Sequence, residues 1–233
     1  MNELRIVVVE NDPLAPIGRL GGHLGDHATT IISPAAGDTL PPPEELDAAV
    51  ILGGRMGAYQ TETYPWLTTE IRWLSQLIDA ETPTLGICLG AQLLAAASGG
   101  RAFPAESPEV GIVKLFKTGA GAKDPVFSDA GEIALAVHGD TFELGPSAVL
   151  LAESSRFAHA FRVGRALGVQ FHPETSAETA VGWLTRPDND IRHGLSPQLL
   201  ASTIEDIRRA DRERAANSDR LFASWLATVD QAL

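Results

Sequence analysis

Pro83-Thr84-Leu85-Gly86-Ile87-Cys88-Leu89-Gly90-Ala91-Gln92-Leu93-Leu94-Ala95-Ala96-Ala97-Ser98-Gly99-Gly100 is the stretch that decides how this chain is read. A short apolar run enters Gly86-Ile87-Cys88-Leu89-Gly90, and an Ala/Leu-rich segment leaves it until paired glycines stop it. The pattern predicts strand, tight turn and helix, with the only cysteine of the 233-residue chain at the turn. Glycines two positions to either side of Cys88 suit a nucleophile elbow, a strained turn that pushes one side chain into the open. A helix start also favours a thiolate. A lone cysteine is otherwise a small buried hydrophobe, so the rest of the chain has to decide between packing and chemistry.

Upstream, residues 4–9, 48–52 and 83–87 are unbroken apolar runs, the mark of strands buried on both faces of a parallel sheet. Residues 29–32 make a further strand candidate. Residues 14–24 predict a helix weakened by Pro16 and three glycines, and residues 65–80 a strong one, with Leu67, Ile71, Leu74 and Ile78 at helical spacing. Alternating strands and helices predict an α/β fold, a parallel sheet with helices on both faces. Downstream, residues 110–116, 132–137, 148–152, 158–163 and 166–171 are short strand candidates separated by Gly/Pro/Asp turns, as in hairpins or a mixed sheet edge. Ser176 caps a helix through residue 184. Residues 196–233 read as helices, with one stripe at Leu200, Ile204 and Ile207 and another at Phe222, Trp225, Leu226 and Val229.

Composition narrows the function classes. A formal charge of −12 leaves no concentration of Lys/Arg for nucleic acid or an anionic membrane surface. Hydrophobic residues at 44% and charged residues at 21% are ordinary globular usage. One cysteine excludes an internal disulfide and fits a reducing compartment. The N-terminal residues lack a signal-peptide layout, and no apolar run approaches the roughly 20 residues of a membrane span. These features predict a soluble, cytoplasmic protein.

A cysteine nucleophile needs a base, a group that orients the base, and donors for an oxyanion. Of six histidines, His172 is the strongest candidate base, at the end of a buried strand in Gln170-Phe171-His172-Pro173-Glu174. Glu174 can bond its far ring nitrogen, the third-member role of a triad. His138 follows a strand in a turn-like His138-Gly139-Asp140 context compatible with ligand binding. His159 reads as a mid-strand packing or exposed residue, and His23, His27 and His193 as solvated or capping residues. Gly53-Gly54 after the strand at 48–52, and Leu89 beside the nucleophile, can offer backbone N–H groups to an oxyanion. No convincing metal set is evident, and no cofactor is expected.

Gly53-Gly54-Arg55-Met56, the Cys88 turn through Gln92, His138-Gly139-Asp140 and the His-Pro-Glu segment together resemble class I glutamine amidotransferases over roughly residues 45–185. Within the class, Tyr64-Pro65-Trp66-Leu67, His138-Gly139-Asp140-Thr141-Phe142 and Asp124-Pro125-Val126-Phe127 resemble free-standing proteins described as GMP-synthase-like. The resemblance implies a three-layer, flavodoxin-like sandwich with a mostly parallel sheet. It spans residues 1–185, with 186–233 as a C-terminal helical extension packed on the same domain. It implies a Cys88–His172–Glu174 triad that cleaves the γ-amide of glutamine through a thioester, with Gly54 and Leu89 N–H groups holding the oxyanion. Gln92 would hold the substrate's amide end, and His138, Gly139 and Asp140 would lie near its amino-acid end. Two positions depart from the family pattern: Arg55 stands where Pro often follows the glycine pair, which suggests a more mobile loop, and Ile112 stands where an aromatic is common. No stretch after residue 185 resembles an ATP-pyrophosphatase domain. The resemblance therefore implies ammonia release to a synthetase partner, with γ-glutamyl peptidase chemistry and a non-catalytic binding module as alternatives. A homodimer is compatible with this reading.

Overall fold

The apolar runs take up strand positions because alternate side chains of an extended segment point to opposite faces and both faces are covered. In a computed structural model of the protein, which describes residues 3–25, 27–187 and 195–230, the first strands are β1 (Arg5–Val9), β2 (Ala28–Ile32), β3 (Ala48–Ile51) and β4 (Thr84–Ile87). Ile6 and Val8 of β1 enter one core, while Val7 and Val9 enter the other. The helices α1 (Leu20–Leu24), α2 (Trp66–Asp79) and α3 (Leu89–Ala97) connect these strands. Leu67, Leu74 and Leu77 of α2 pack with Leu93 and Leu94 of α3 on the face of Val7, Val9 and Ile51.

The second half supplies β5 (Arg101–Lys114), β6 (Phe116–Lys117), β7 (Ile133–Glu143), β8 (Val149–Glu153), β9 (Ala158–Val163) and β10 (Ala166–Val169). The main sheet runs β2-β1-β3-β4-β10-β9-β8-β6. It is parallel from β2 to β10 and antiparallel beyond. The α/β architecture agrees with the expectation. β5 and β7 form a separate antiparallel ribbon, longer than the sequence implies. It begins at Arg101, keeps pairing through a register shift between Pro104 and Glu109, and carries His138-Gly139-Asp140 inside β7. The turn expected at His138 is thus a strand, because the ladder opposite it (Glu109 with His138, Pro104 with Asp140) continues to pair.

Two helices close the chain, α4 (Ala177–Thr185), whose Ser176 cap accepts from Thr179 N–H at 3.2 Å, and α5 (Pro197–Asp230). The two apolar stripes expected at the C-terminus lie on one continuous 34-residue helix rather than on several. Ile207, with Leu200 and Ile204, covers the ribbon at Leu135 and Val137, and Leu221, Phe222, Trp225 and Val229 cover the sheet at Leu85 and Leu167. Residues 14–19 remain outside the short α1, where Pro16 removes a backbone donor. His193 lies outside the described residues. Among those described, no helix is long and apolar enough to cross a membrane.

One polar pair is sealed into this frame. Glu70 of α2 is fully buried and accepts a bond from Asn11 Nδ2 at 3.0 Å. Burial raises its carboxyl from 4.5 to about 7, against the lowering effect of the Asn11 bond. The folded value lies above the unfolded one, so the folded state holds the extra proton between them and stability falls as pH rises from 4.5 to 7. Glu70→Gln removes that titration and leaves a carbonyl acceptor for Asn11. At about 1.4 kcal/mol per pKa unit, wild type should lose roughly 3 kcal/mol relative to E70Q across this interval. Urea unfolding of both proteins across the range reads the difference, in which contributions common to the two cancel.

Candidate active site

β4 ends at Ile87, and the backbone reverses into α3 through Cys88 at φ 53° and ψ −106°. A non-glycine residue with positive φ costs on the order of 1–3 kcal/mol. Its surroundings hold it there. Cys88 N–H donates to Val169 O at 2.8 Å, and Cys88 O accepts from Gln92 N–H at 3.1 Å. A Cβ on Gly86 would stand 2.6 Å from Gly90 O, and one on Gly90 would stand 2.9 Å from the Ile51 carbonyl carbon and closer still to its oxygen. The glycines flanking the cysteine are therefore steric requirements of the turn.

His172 follows β10, the strand paired directly beside β4. Its N–H donates to Leu135 O of β7 at 2.9 Å, which pins the segment after β10 to the ribbon. Its Nδ1 lies 2.7 Å from Glu174 Oε1, and Thr175 Oγ1 donates to the same oxygen at 2.9 Å. Burial disfavours the imidazolium, but the Glu174 charge and the nearby Cys88 outweigh it and hold the ring well above its ordinary value. Gln170 Nε2 reaches the Cys88 sulfur at 3.6 Å. Leu89 opens α3, and a Cβ on Gly54 would stand 2.9 Å from the Leu89 side chain, so the two proposed oxyanion donors belong to abutting segments.

Several residues that shape this site carried no signal in the sequence. The Trp183 ring packs edge-on against His172 at 4.9 Å, and its Nε1 donates to Leu14 O at 2.6 Å. The α5 helix braces the His-Pro-Glu segment: Ser218 Oγ donates to Pro173 O at 2.6 Å, and the buried Arg214 donates to Thr175 O at 3.1 Å. These contacts span tens of residues of chain, and a helical stripe does not announce them. Arg55 is tied down rather than loose. Its N–H and Nε donate to Asp12 Oδ2 at 3.3 and 2.7 Å, although its side chain is 65% exposed. Ile112 joins the cluster of Leu135, Val137 and Leu184 between ribbon and helices.

Cys88, His172, Gly54, Arg55, Val137 and Trp183 line one solvent-open cleft of about 580 Å³. Gln92, His138, Gly139 and Asp140 are not among its lining residues. Gln92 is buried, with Nε2 3.3 Å from Gln170 Oε1 and 3.4 Å from Asp140 O. Asp140 accepts from the Tyr59 hydroxyl at 3.4 Å, and burial raises its carboxyl above the ordinary value. His138 points into the fold, its Nε2 3.2 Å from Glu109.

A strained cysteine facing a histidine–carboxylate pair in an open cleft is equipped for covalent attack on a carbonyl carbon. Replacing Gly90 by Ala should destroy this arrangement. The gain in helix propensity is about 1 kcal/mol, but a methyl driven into the Ile51 carbonyl costs about 1–3 kcal/mol or more. A net loss of stability in urea, with slower alkylation of Cys88 by a bulky thiol reagent, is the expected outcome.

Comparisons with known proteins identify the family. The family model described as "Glutamine amidotransferase class-I" matches residues 26–184. The glutamine amidotransferase-like protein YfeJ of Salmonella typhimurium is 28% identical over 179 residues, which cover 73% of this chain and 74% of that one. A GMP synthase (glutamine-hydrolyzing) of Thermomicrobium roseum is 30% identical over 79% of this chain, which spans only 34% of that synthase. The crystal structure of a glutamine amidotransferase from Thermotoga maritima superposes with a TM-score of 0.82 at 27% identity, covering 98% of this chain and 99% of that one. The chain belongs to the class I glutamine amidotransferase family.

Proposed function

We propose that the chain hydrolyses the γ-amide of glutamine with Cys88 as nucleophile, His172 as acid and base, and Glu174 as the group that orients His172. The observation that carries this reading is the buried His172 Nδ1–Glu174 contact of 2.7 Å beside a cysteine held at positive φ. Cys88 sulfur adds to the amide carbon, and the N–H groups of Gly54 and Leu89 receive the oxyanion. His172 passes its proton to the departing nitrogen, the C–N bond breaks, and ammonia leaves a γ-glutamyl thioester. Water then loses a proton to His172 as it attacks the thioester, releasing glutamate and restoring the sulfur. Gln92 and Asp140, joined by the Gln92 Nε2 bond to Asp140 O at 3.4 Å, form a wall behind the lined cleft with His138 turned inward behind it, so this segment supports the substrate site without lining it.

In the Thermomicrobium synthase the matched part is a minor fraction of the whole. By analogy, the ammonia acceptor here is a synthetase partner. A second reading, cleavage of a small γ-glutamyl conjugate, is favoured by Leu14, Ala15, Val137 and Trp183. They give the cleft beside Cys88 an apolar wall, for which ammonia has no use.

Incubation with a glutamine-analogue electrophile should add one label at Cys88 by mass spectrometry, and Cys88→Ala should abolish both the adduct and glutamate release. Wild-type activity in C88A protein overturns the reading. Glutamate released faster from γ-glutamyl dipeptides with apolar leaving groups than from glutamine selects the conjugate. The Glu174 charge raises the His172 value, so Glu174→Gln should move the alkaline limb of kcat/KM to lower pH. Its rate should fall by about 10²–10⁴.

A further inference from the structure

Behind the Gln92–Asp140 wall, three strands bring together residues far apart in the chain: Glu109 on β5, His138 on β7 and His159 on β9. All three are buried, and their ligating atoms lie within 4.8 Å of one another. Glu109 Oε2 is 2.7 Å from His159 Nε2 and 3.2 Å from His138 Nε2. The sequence shows no metal set because these three donors meet only through the β5–β7 ribbon and the edge of the main sheet.

The donor arithmetic is specific. His138 Nδ1 lies 2.8 Å from Asp140 O, and a carbonyl can only accept, so that nitrogen carries the proton. In a neutral ring, Nε2 then turns a lone pair toward a carboxylate oxygen. That form would set two acceptors 3.2 Å apart, a gap that a second ring proton or a bound cation fills. The surroundings of His138 and Glu109 match those of metal ligands. Such histidines donate their other N–H to a backbone carbonyl, as His138 does to Asp140, and ligating carboxylates are themselves hydrogen-bonded, as Glu109 Oε1 is by Ser154 Oγ at 2.8 Å. His159 aims Nε2 into the cluster, while its buried Nδ1 has no hydrogen-bond partner among the described residues.

We propose that Glu109, His138 and His159 form a binding site for a divalent first-row cation, with Zn²⁺ the best match to two imidazoles and one carboxylate. Ligands about 2.0–2.1 Å from a tetrahedral zinc stand roughly 3.3 Å apart. The His138–Glu109 contact of 3.2 Å already matches, the His159–Glu109 contact of 2.7 Å has to open, and the two imidazole nitrogens, within 4.8 Å of each other, have to draw together around the ion. The ion ties β5, β7 and β9 together and reaches the active site through the Asp140 carbonyl, which His138 and Gln92 share, and through Val137 and Phe171 beside its ligands. It takes no part in the thioester chemistry.

The test is Zn²⁺ binding to the intact chain after chelator treatment, in wild type and in a Cys88→Ser background that removes the active-site sulfur. Isothermal titration should give one Zn²⁺ per chain in both, and Co²⁺ should give visible ligand-field bands. His159→Gln should weaken binding at least 100-fold, and Ser154→Ala by about 10–100-fold, as loss of an orienting contact does. Zn²⁺ should raise the thermal midpoint of wild type but not of H159Q. Absence of binding in C88S protein overturns the site, as does wild-type affinity in folded H159Q. If H159Q does not fold, unchanged affinity in S154A, which keeps all three ligands, overturns it equally. Those outcomes would leave a hydrogen-bonded Glu–His–His network only.

Discussion

The backbone at Cys88 is the constraint on which the rest depends. A residue with a side chain at φ 53° sits in a conformation that L-residues avoid, and it stays there only if the surroundings permit nothing else. Three strands meet that demand together. β4 delivers the residue, β10 accepts its N–H through Val169, and β3 presses the Ile51 carbonyl against Gly90 in the first turn of α3. Each of these strands is buried on both faces, so the turn inherits the rigidity of the sheet centre. The sulfur is placed by the core rather than by a loop.

The histidine side is built differently. β10 stops at Val169, and the chain from Gln170 to Ser176 runs beyond the ladder. Its order comes from outside the main sheet. Leu135 O of the ribbon accepts from the His172 N–H, Trp183 packs against the ring, and Arg19 N–H donates to Glu174 O at 2.8 Å. Asp211 of α5 draws the same region together by accepting from Arg19, Arg214 and the Ala177 N–H. The long helix therefore does more than cover the sheet. Its middle turns are polar where its two ends are apolar, and that polar section braces the His-Pro-Glu segment.

This division explains what could be read from residues alone. The strands at 4–9, 48–52 and 83–87 were legible because burial on both faces leaves an unbroken apolar signature. The Cys88 turn was legible because its glycines stand close to it in sequence. The β5–β7 ribbon was not, since its start lies in Arg101-Ala102-Phe103-Pro104, where a proline and a register shift hide the pairing. The same concealment gives His138-Gly139-Asp140 the look of a turn although it lies within β7. Arg214, Ser218 and Trp183 belong to helices whose periodicity reports only that a face is buried. Which backbone carbonyl a buried hydroxyl or indole will reach is decided by tertiary packing.

The ribbon and the sheet accordingly hold different parts of the chemistry. Cys88 and His172 stand on or beside the parallel core, whose geometry belongs to the fold. Val137 to Asp140 stand on the ribbon, Val137 lining the cleft and the other three behind it. The Asp140 carbonyl is the joint between them, 3.4 Å from Gln92 Nε2 on one side and 2.8 Å from His138 Nδ1 on the other. Anything that moves His138 within its Glu109 contact therefore moves the acceptor of Gln92, on the helix that starts at the nucleophile. The ribbon thus meets the helix that starts at Cys88 through this backbone oxygen, while the strained turn itself is held by the sheet.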